Sequence, residues 1–399
     1  MSESLKIGMF FTHPIQYWVP VVQNLSQYSD VNVQVYYLSM HSVEGGVDAG
    51  FGQNVCWDVP LLDGYDYDVL KNTGSGVEGQ GFFRYNALGL VRLFRSEKFD
   101  AVLVPGYFCW YYLQVVCIAR FFGVPAFFRG DNKDRTRSRS SIKTVARSIF
   151  LRIYYRLFRC LFATATYMKR SFLSHGIPNS RIFWAPHCVN SAQFEQLRDE
   201  LTHSRQSLRE QLGVSNDTVI FMFCGKLIAE KNVSLLLKSL AAVSHSNDVY
   251  ALIVGDGPLR QRIDAEAREL GLSYSITGFK NQTELPSYYY AADVVVLPSF
   301  SETWGLVINE AMIFGKPVIV SDAVGCAEDL VVLDENGFVF DAGDASSFKD
   351  AIEETLAAKA RFSEMSVFAR QHIRGFSPEV SASSIRAALL QCCVSKRPS

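Results

Sequence analysis

The stretch Ser301-Glu-Thr-Trp-Gly-Leu-Val-Ile-Asn-Glu310 carries two carboxylates eight residues apart, where an apolar run gives way to a helical pattern. The run, residues 293–298, has the composition of a buried strand. The helix that follows should stop at Gly315, just before Pro317. A helix start offers free backbone amides and the positive end of the dipole, so it attracts phosphate. Gly305 in the first turn lets a ligand approach the backbone closely. With a rise of about 1.5 Å per residue, Glu302 and Glu310 flank the helix start. They could hold groups on either side of a diphosphate, a sugar at one end and a ribose at the other. Spacing alone fits two solvated glutamates equally well.

Three further stretches sit at strand ends. In Phe223-Cys-Gly-Lys226-Leu-Ile-Ala-Glu-Lys231-Asn, two lysines follow a strand. They could neutralise a leaving diphosphate, whose charge grows as its bond to the sugar breaks. Taken alone, such lysines are more often surface residues. Gly255-Asp-Gly-Pro258 reads as a strand-to-helix turn at the same edge. Gly278-Phe279-Lys280 could offer its backbone and a ring to a base, or be a simple turn.

These residues need a scaffold that gathers strand ends along one edge. The 399 residues suit two domains, and 48% apolar with 20% charged side chains is the balance of a folded globular chain. Strand candidates in the first half are residues 6–12, 31–39, 100–106, 125–129, 161–166 and 182–186. Those in the second half are 219–225, 249–255, 274–278, 293–298 and 317–321. Helical patterns lie between many of them, at 15–27, 87–96, 167–174, 233–244, 259–270, 284–292 and 306–314. Strands this apolar, separated by helices, indicate parallel sheets covered on both faces. The fold expected is α/β, two Rossmann-like doubly wound domains facing across a cleft, with the ligand in that cleft. The boundary falls in the polar stretch 189–216, giving domains 1–190 and 191–375. A last helix near 376–399 joins the first domain.

In order and spacing, these stretches together resemble the donor domain of retaining family 4 glycosyltransferases, the glycosyl transferases group 1, which have the GT-B architecture. The resemblance covers most of residues 219–340. It includes Glu302 and Glu310, Gly225-Lys-Leu-x-x-Glu-Lys231, Ala291-Ala-Asp-Val-x-x-Leu-Pro-Ser299 and Gly315-Lys-Pro-Val-Ile. It implies that Lys226 and Lys231 bind the donor diphosphate, with amides near Trp304, Gly305 and Leu306. Gly225 and Gly255 would line the same edge, and Gly278 and Phe279 the base. Glu310 would hold the ribose and Glu302 the transferred sugar. Glu302, Lys231, Lys226 and His13 are the catalytic candidates. Lys226 stands where the family usually has arginine, so the charge is kept and the planar fork lost.

The first half resembles the family less closely. Where many members have a glycine pair, this chain reads Phe11-Thr-His13-Pro-Ile-Gln16-Tyr17, with Pro14 expected at a first helical position. His13, Gln16, Arg129 and Asp131 are candidates for the acceptor or the sugar. Trp184-Ala-Pro-His187-Cys-Val-Asn190 resembles the family's crossing between domains. The reaction implied is transfer from a nucleotide diphosphate sugar to an acceptor hydroxyl with retention, in assembly of a cell-surface polysaccharide or glycolipid. The acceptor would be a glycan or a lipid-linked chain. No Asp-x-Asp motif lies beside the donor stretches, so neither metal nor cofactor is invoked.

Composition narrows the setting. The net charge of −1 gives no global field toward nucleic acid. Nine cysteines without metal spacing, mostly within apolar runs, read as buried thiols in a reducing compartment. The apolar stretch 101–128 is punctuated by Pro105-Gly106 and Gly123-Val-Pro125 and reads as strand, helix, strand. The expected location is cytoplasmic, with peripheral contact at the inner face of a membrane left open. Residues 135–170 hold ten Lys/Arg and no acid, which suits either a helix on an anionic membrane surface or a core helix with a solvated basic face. Alternatives in function are a sugar-nucleotide epimerase of the same fold, a phosphorylase-like enzyme, and a non-catalytic sugar-nucleotide-binding subunit of a polysaccharide complex.

Overall fold

The computed structural model describes residues 4–48, 53–76, 81–131, 141–201 and 204–393. In the first half the strands are β1 (Leu5–Phe10), β2 (Val31–Tyr37), β3 (Gly46–Asp48), β4 (Gln53–Val55), β5 (Asp66–Val69), β6 (Ala101–Val104), β7 (Ala126–Arg129), β8 (Cys160–Ala163) and β9 (Ile182–Trp184). In the second half they are β10 (Val219–Cys224), β11 (Val249–Val254), β12 (Tyr274–Ile276), β13 (Val294–Leu297), β14 (Val318–Ser321) and β15 (Gly337–Phe340).

Seven strands form one sheet in the order β5-β2-β1-β6-β7-β8-β9, and six form another in the order β12-β11-β10-β13-β14-β15. Every pairing within these two sheets is parallel, and β3 and β4 make a separate antiparallel pair. The central strands are apolar along their length, as in Val219–Cys224 and Val249–Val254, because helices cover both faces. In each sheet the strand order reverses once, between β1 and β6 and between β10 and β13. Ligands of open α/β sheets bind outside the carboxyl ends of strands at that reversal.

The expected strands are present; β7 and β14 end where their apolar runs do, and the other nine end one to three residues earlier. Four strands were not expected: the short antiparallel pair β3 and β4, and the edge strands β5 and β15. β5 is fully exposed and carries two aspartates, and β15 closes the far edge of the second sheet. Pro14 is not at a helix start. The chain first makes a turn in which Trp18 N–H donates to Ile15 O at 2.8 Å, and the helix begins at Val19, with Pro20 in its first turn. Proline fits there because its missing N–H would have no partner anyway. Cys117, expected within an apolar run, faces outward on the helix Trp110–Phe121, and Cys56 is exposed too.

The polar stretch between the sheets holds two helices, Ser191–Glu200 and Ser204–Gln211. Arg209 fastens the second of them to the second sheet. Its buried guanidinium donates to Asp293 Oδ2 at 3.0 Å and to the carbonyls of Ala291, Ser215 and Thr218. The helix Pro378–Cys393 returns to the first sheet. It packs on the helix Val19–Ser26, Arg386 grips Asp30 in a bidentate pair, and Ser381 Oγ donates to Pro186 O. Among the described residues no helix is long and apolar enough to cross a membrane. Of the basic stretch, Arg135, Arg137 and Arg139 lie outside the described residues, as does Asn132.

Candidate functional site

The site is built where the second sheet reverses. β10 ends in Gly225 and Lys226, and β13 leads into Glu302. Gly225 N–H donates to Val254 O, and Leu227 N–H donates to Asp256 O at 2.8 Å, so the loops after β10 and β11 lie side by side. Gly255 is fixed by this approach, since a Cβ there would sit 1.9 Å from Gly225 O. Gly278, at a φ of 79°, bridges to Gly255 at the end of β12. Thus Gly225, Gly255 and Gly278 meet along one edge, as their positions at strand ends require.

Lys231 closes a short 3-10 turn, Ala229–Lys231, after β10. Phe300 N–H donates to Glu230 O at 2.9 Å, tying that turn to the loop after β13. The tie sets the Lys231 ammonium against the Glu302 carboxylate in an ion pair whose side chains are only 18% and 23% exposed. Gly325 N–H donates to Glu302 O, and Cys326 N–H to Trp304 O, which fixes the loop from behind. Gly305 has a φ of 103°, and a Cβ there would meet Leu297 and Val324. It leads into the helix Leu306–Ile313, which has no side-chain cap. Its N-cap residue, a glycine, has no side chain to cap the first amides, and a helix start of that kind can take up an anion. Lys226 is half-buried in the neighbouring loop.

Glu310 lies one turn further along, 8% exposed, and Tyr289 Oη donates to its Oε2 at 2.5 Å. Burial raises its carboxyl to about 7, and the Tyr289 hydrogen bond opposes the shift. Glu310 and Leu306 line a cavity of about 210 Å³ between the domains, together with Gln16, Tyr17, Leu61 and Asn190. So Gln16 shares a cavity with Glu310.

The other first-domain candidates are placed differently. His13 lies beside His41, ring centres 4.4 Å apart and the rings tilted by 52°, with its Nδ1 2.9 Å from Thr12 Oγ1. Burial, then the His41 and Arg84 charges, lower it to about 4, so it is neutral at pH 7. Arg129 is buried. It donates to Ala185 O and Pro186 O and lies over the Trp18 ring at 4.3 Å, so it clamps the crossing between domains. Asp131 reaches the domain interface. It takes hydrogen bonds from His187 Nε2 at 2.6 Å and Thr164 Oγ1 at 2.7 Å, with Tyr167 Oη at 3.3 Å. Burial would raise its carboxyl, but the charge and hydrogen bond of His187, the Thr164 hydrogen bond and the Arg129 charge together hold it below the ordinary value.

Sequence reasoning singled out Asp131 but missed its partners. The His187 ring packs 5.1 Å from Trp304, Asn309 Nδ2 donates to His187 O, and Tyr167 Oη donates to Thr303 O at 3.1 Å. The Asp131 cluster thus rests directly on the loop that carries Glu302. The only sequence signal was the position of His187 at the domain crossing. Among the described residues no group of three or more His, Cys, Asp or Glu side chains is placed to hold a metal ion.

Comparison with known proteins defines the class. Over 97% of this chain and all of the other, the fold follows that of Anabaena Alr3699/HepE, solved with UDP and glucose, at a TM-score of 0.68 and 18% identity. The two domains form a GT-B arrangement. Residues 204–372 match the family Glycosyl transferases group 1. The chain is 32% identical over 166 residues to the alpha-D-kanosaminyltransferase of Streptomyces kanamyceticus, covering 41% of this chain and 42% of that one. It is 28% identical over 217 residues to the D-inositol 3-phosphate glycosyltransferase of Xylanimonas cellulosilytica, covering 53% and 51%. The chain spans about half or less of the length of these curated relatives.

The Glu310 environment has a measurable consequence. A carboxyl raised to about 7 keeps its proton in the folded chain at pH values where the unfolded chain, near 4.5, has lost it. That contribution is present at low pH and is lost as pH rises through 7. Glu310→Gln, neutral at every pH, should therefore melt on the order of 5 °C above wild type at pH 8 and close to it at pH 5, without ligand. Parallel melting temperatures across that range would show that Glu310 is ionised in the folded chain.

Proposed function

We propose that this chain transfers a sugar from a nucleotide diphosphate sugar to an acceptor hydroxyl, with retention at the anomeric carbon. The observation that carries the reading is the Lys231–Glu302 ion pair beside the uncapped start of the helix Leu306–Ile313, at the reversal of the second sheet. An entering diphosphate would take Lys231 from Glu302 and rest on the amides of residues 304–306, with Lys226 as a second cation. Glu302, released, would accept hydroxyls of the sugar, and Glu310 those of the ribose. The loop 278–280 would border the base.

In the reaction, the bond between the anomeric carbon and the β-phosphate oxygen breaks, and the acceptor oxygen bonds to that carbon on the same face. The leaving phosphate oxygen takes the acceptor proton. The lysines stabilise the charge that develops on the phosphate, and the chain needs no nucleophile of its own. Gln16, in the cavity with Glu310, and the neutral His13 are the acceptor-side candidates. The names of the matched relatives, a D-inositol 3-phosphate glycosyltransferase and an alpha-D-kanosaminyltransferase, and the UDP and glucose in complex with HepE support this reading. Lys231→Ala, assayed at saturating donor, should lose about 10²–10³ in turnover. Near-normal turnover in that variant would remove Lys231 from the chemistry.

The acceptor in this reading is a glycan or a lipid-linked chain, met at the cytoplasmic face of a membrane. Support comes from the helix Ser141–Arg156 of the first domain. It buries Leu151, Tyr154 and Tyr155 yet leaves Val145, Ile149 and Ile153 58%, 55% and 60% exposed, among exposed Lys143, Arg152 and Arg156. The two readings of the basic stretch are therefore compatible, since one helix carries both a core side and an apolar, basic outer side. Arg170 is excluded from the basic surface, because it is paired with Glu328 of the second domain. An apolar side rimmed by cations suits the boundary of an anionic bilayer. Wild type should sediment with vesicles containing phosphatidylglycerol at low salt, and Ile149→Ser with Ile153→Ser should reduce the bound fraction several-fold. Wild type remaining in the supernatant at low salt would favour a soluble acceptor.

A further inference from the structure

The first domain touches the second at a place far along the chain from the crossing at His187. Residues 56–61, Cys-Trp-Asp-Val-Pro-Leu, follow β4 and reach across the cleft to the loop after β12. Asp58 anchors them. Its Oδ1 accepts from Gln282 N–H at 3.1 Å, and its Oδ2 accepts from Thr283 N–H at 3.2 Å and from the Thr283 hydroxyl. These amides belong to the turn that opens the helix Leu285–Ala291, whose own N-cap side chain makes no capping bond. A carboxylate from the other domain thus holds two amides of the turn that leads into this helix. Asn281 Nδ2 adds a bond to Cys56 O at 2.8 Å.

This anchoring decides where the next residues lie. Trp57, half-buried, faces Phe279 with ring centres 6.4 Å apart at an angle of 60°. Phe279 directly follows Gly278 on the edge where Gly225, Gly255 and Gly278 meet. On the other side of the anchor, Val59, Pro60 and Leu61 line the cavity that Glu310 also lines. Six consecutive residues therefore place an aromatic ring at one side of the cleft and an apolar wall at the other. An angled pair of rings beside backbone groups is a surface for a flat heteroaromatic ring, and stacking on it does not depend on which base is present.

We infer that residues 56–61 are the first domain's contribution to donor binding: Trp57 contacts the nucleobase of a nucleoside diphosphate, and Asp58 positions it. The inference rests on the donor reading given above and adds to it that base recognition requires both domains. Trp57 is a binding residue, and Asp58 acts only through Trp57 and the turn it holds.

The test is calorimetric titration of the full chain with UDP, GDP and ADP, and separately with inorganic pyrophosphate, which reaches the diphosphate cradle but carries no base. For the nucleoside diphosphate that wild type binds, Trp57→Ala should weaken affinity about tenfold, while pyrophosphate affinity changes less than about twofold. Trp57→Phe should stay within about threefold of wild type, because a ring remains. Asp58→Ala should raise the donor KM and leave turnover at saturating donor unchanged. Equal affinity of wild type and Trp57→Ala for the nucleoside diphosphate would overturn the inference and leave the donor reading standing. So would an equal loss for nucleoside diphosphate and pyrophosphate, which would make residues 56–61 a general brace. If wild type binds none of the three nucleotides, the donor reading fails and this inference fails with it.

Discussion

An ammonium and a carboxylate, each about four-fifths buried, face one another at the reversal of the second sheet. Neither Lys231 nor Glu302 could stay there alone, because an unpaired charge in such a place is strongly destabilising. The pair draws the turn after β10 and the loop after β13 together, and the bond from Phe300 N–H to Glu230 O holds them. The rest of the site follows from that contact. Gly305 takes a backbone angle that few other residues tolerate, and the helix behind it starts without a side-chain cap. In the proposed function, an incoming diphosphate replaces Glu302 as the partner of Lys231. Lys231 then has an anionic partner with or without donor, and Glu302 exchanges the ammonium for hydrogen bonds from the sugar.

The two domains are tied on both sides of this volume. On one side Asp131, His187 and Tyr167 rest against Trp304 and Thr303. Thr166 N–H donates to Asp329 Oδ2 at 2.9 Å beside them, and Arg170 pairs with Glu328. On the other side Asp58 holds the turn before the helix Leu285–Ala291. Both ties are polar and built from few groups, the type of contact that a domain motion can break and remake. The clamp of Arg129 on the carbonyls of Ala185 and Pro186 keeps the crossing itself rigid.

The sequence was most informative where burial is one-sided in its demands. Strands covered on both faces must be apolar throughout, so the central strands of both sheets stood out, and the glycines at their ends marked where backbones meet. β5 stayed hidden because an edge strand with solvent on its exposed face can carry Asp66 and Asp68. Glu302, Glu310, Lys226 and Lys231 were legible because they lie close in sequence to the strand ends that place them. His187, Tyr167 and Trp57 were not, since their significance comes from the facing domain, more than a hundred residues away in each case. Arg129 looked like a cleft residue from its position at the end of β7. Its side chain turns inward, because the carbonyls at the domain crossing need donors and Trp18 offers a face for the guanidinium.

The exchange of partners by Lys231 is most directly tested by a crystal structure of the chain with an unreactive nucleotide-sugar analogue. The account predicts Lys231 Nζ about 2.9 Å from a phosphate oxygen, the diphosphate against the amides of residues 304–306, and Glu302 turned to the hydroxyls of the sugar. A diphosphate bound elsewhere, with the Lys231–Glu302 pair intact, would contradict it.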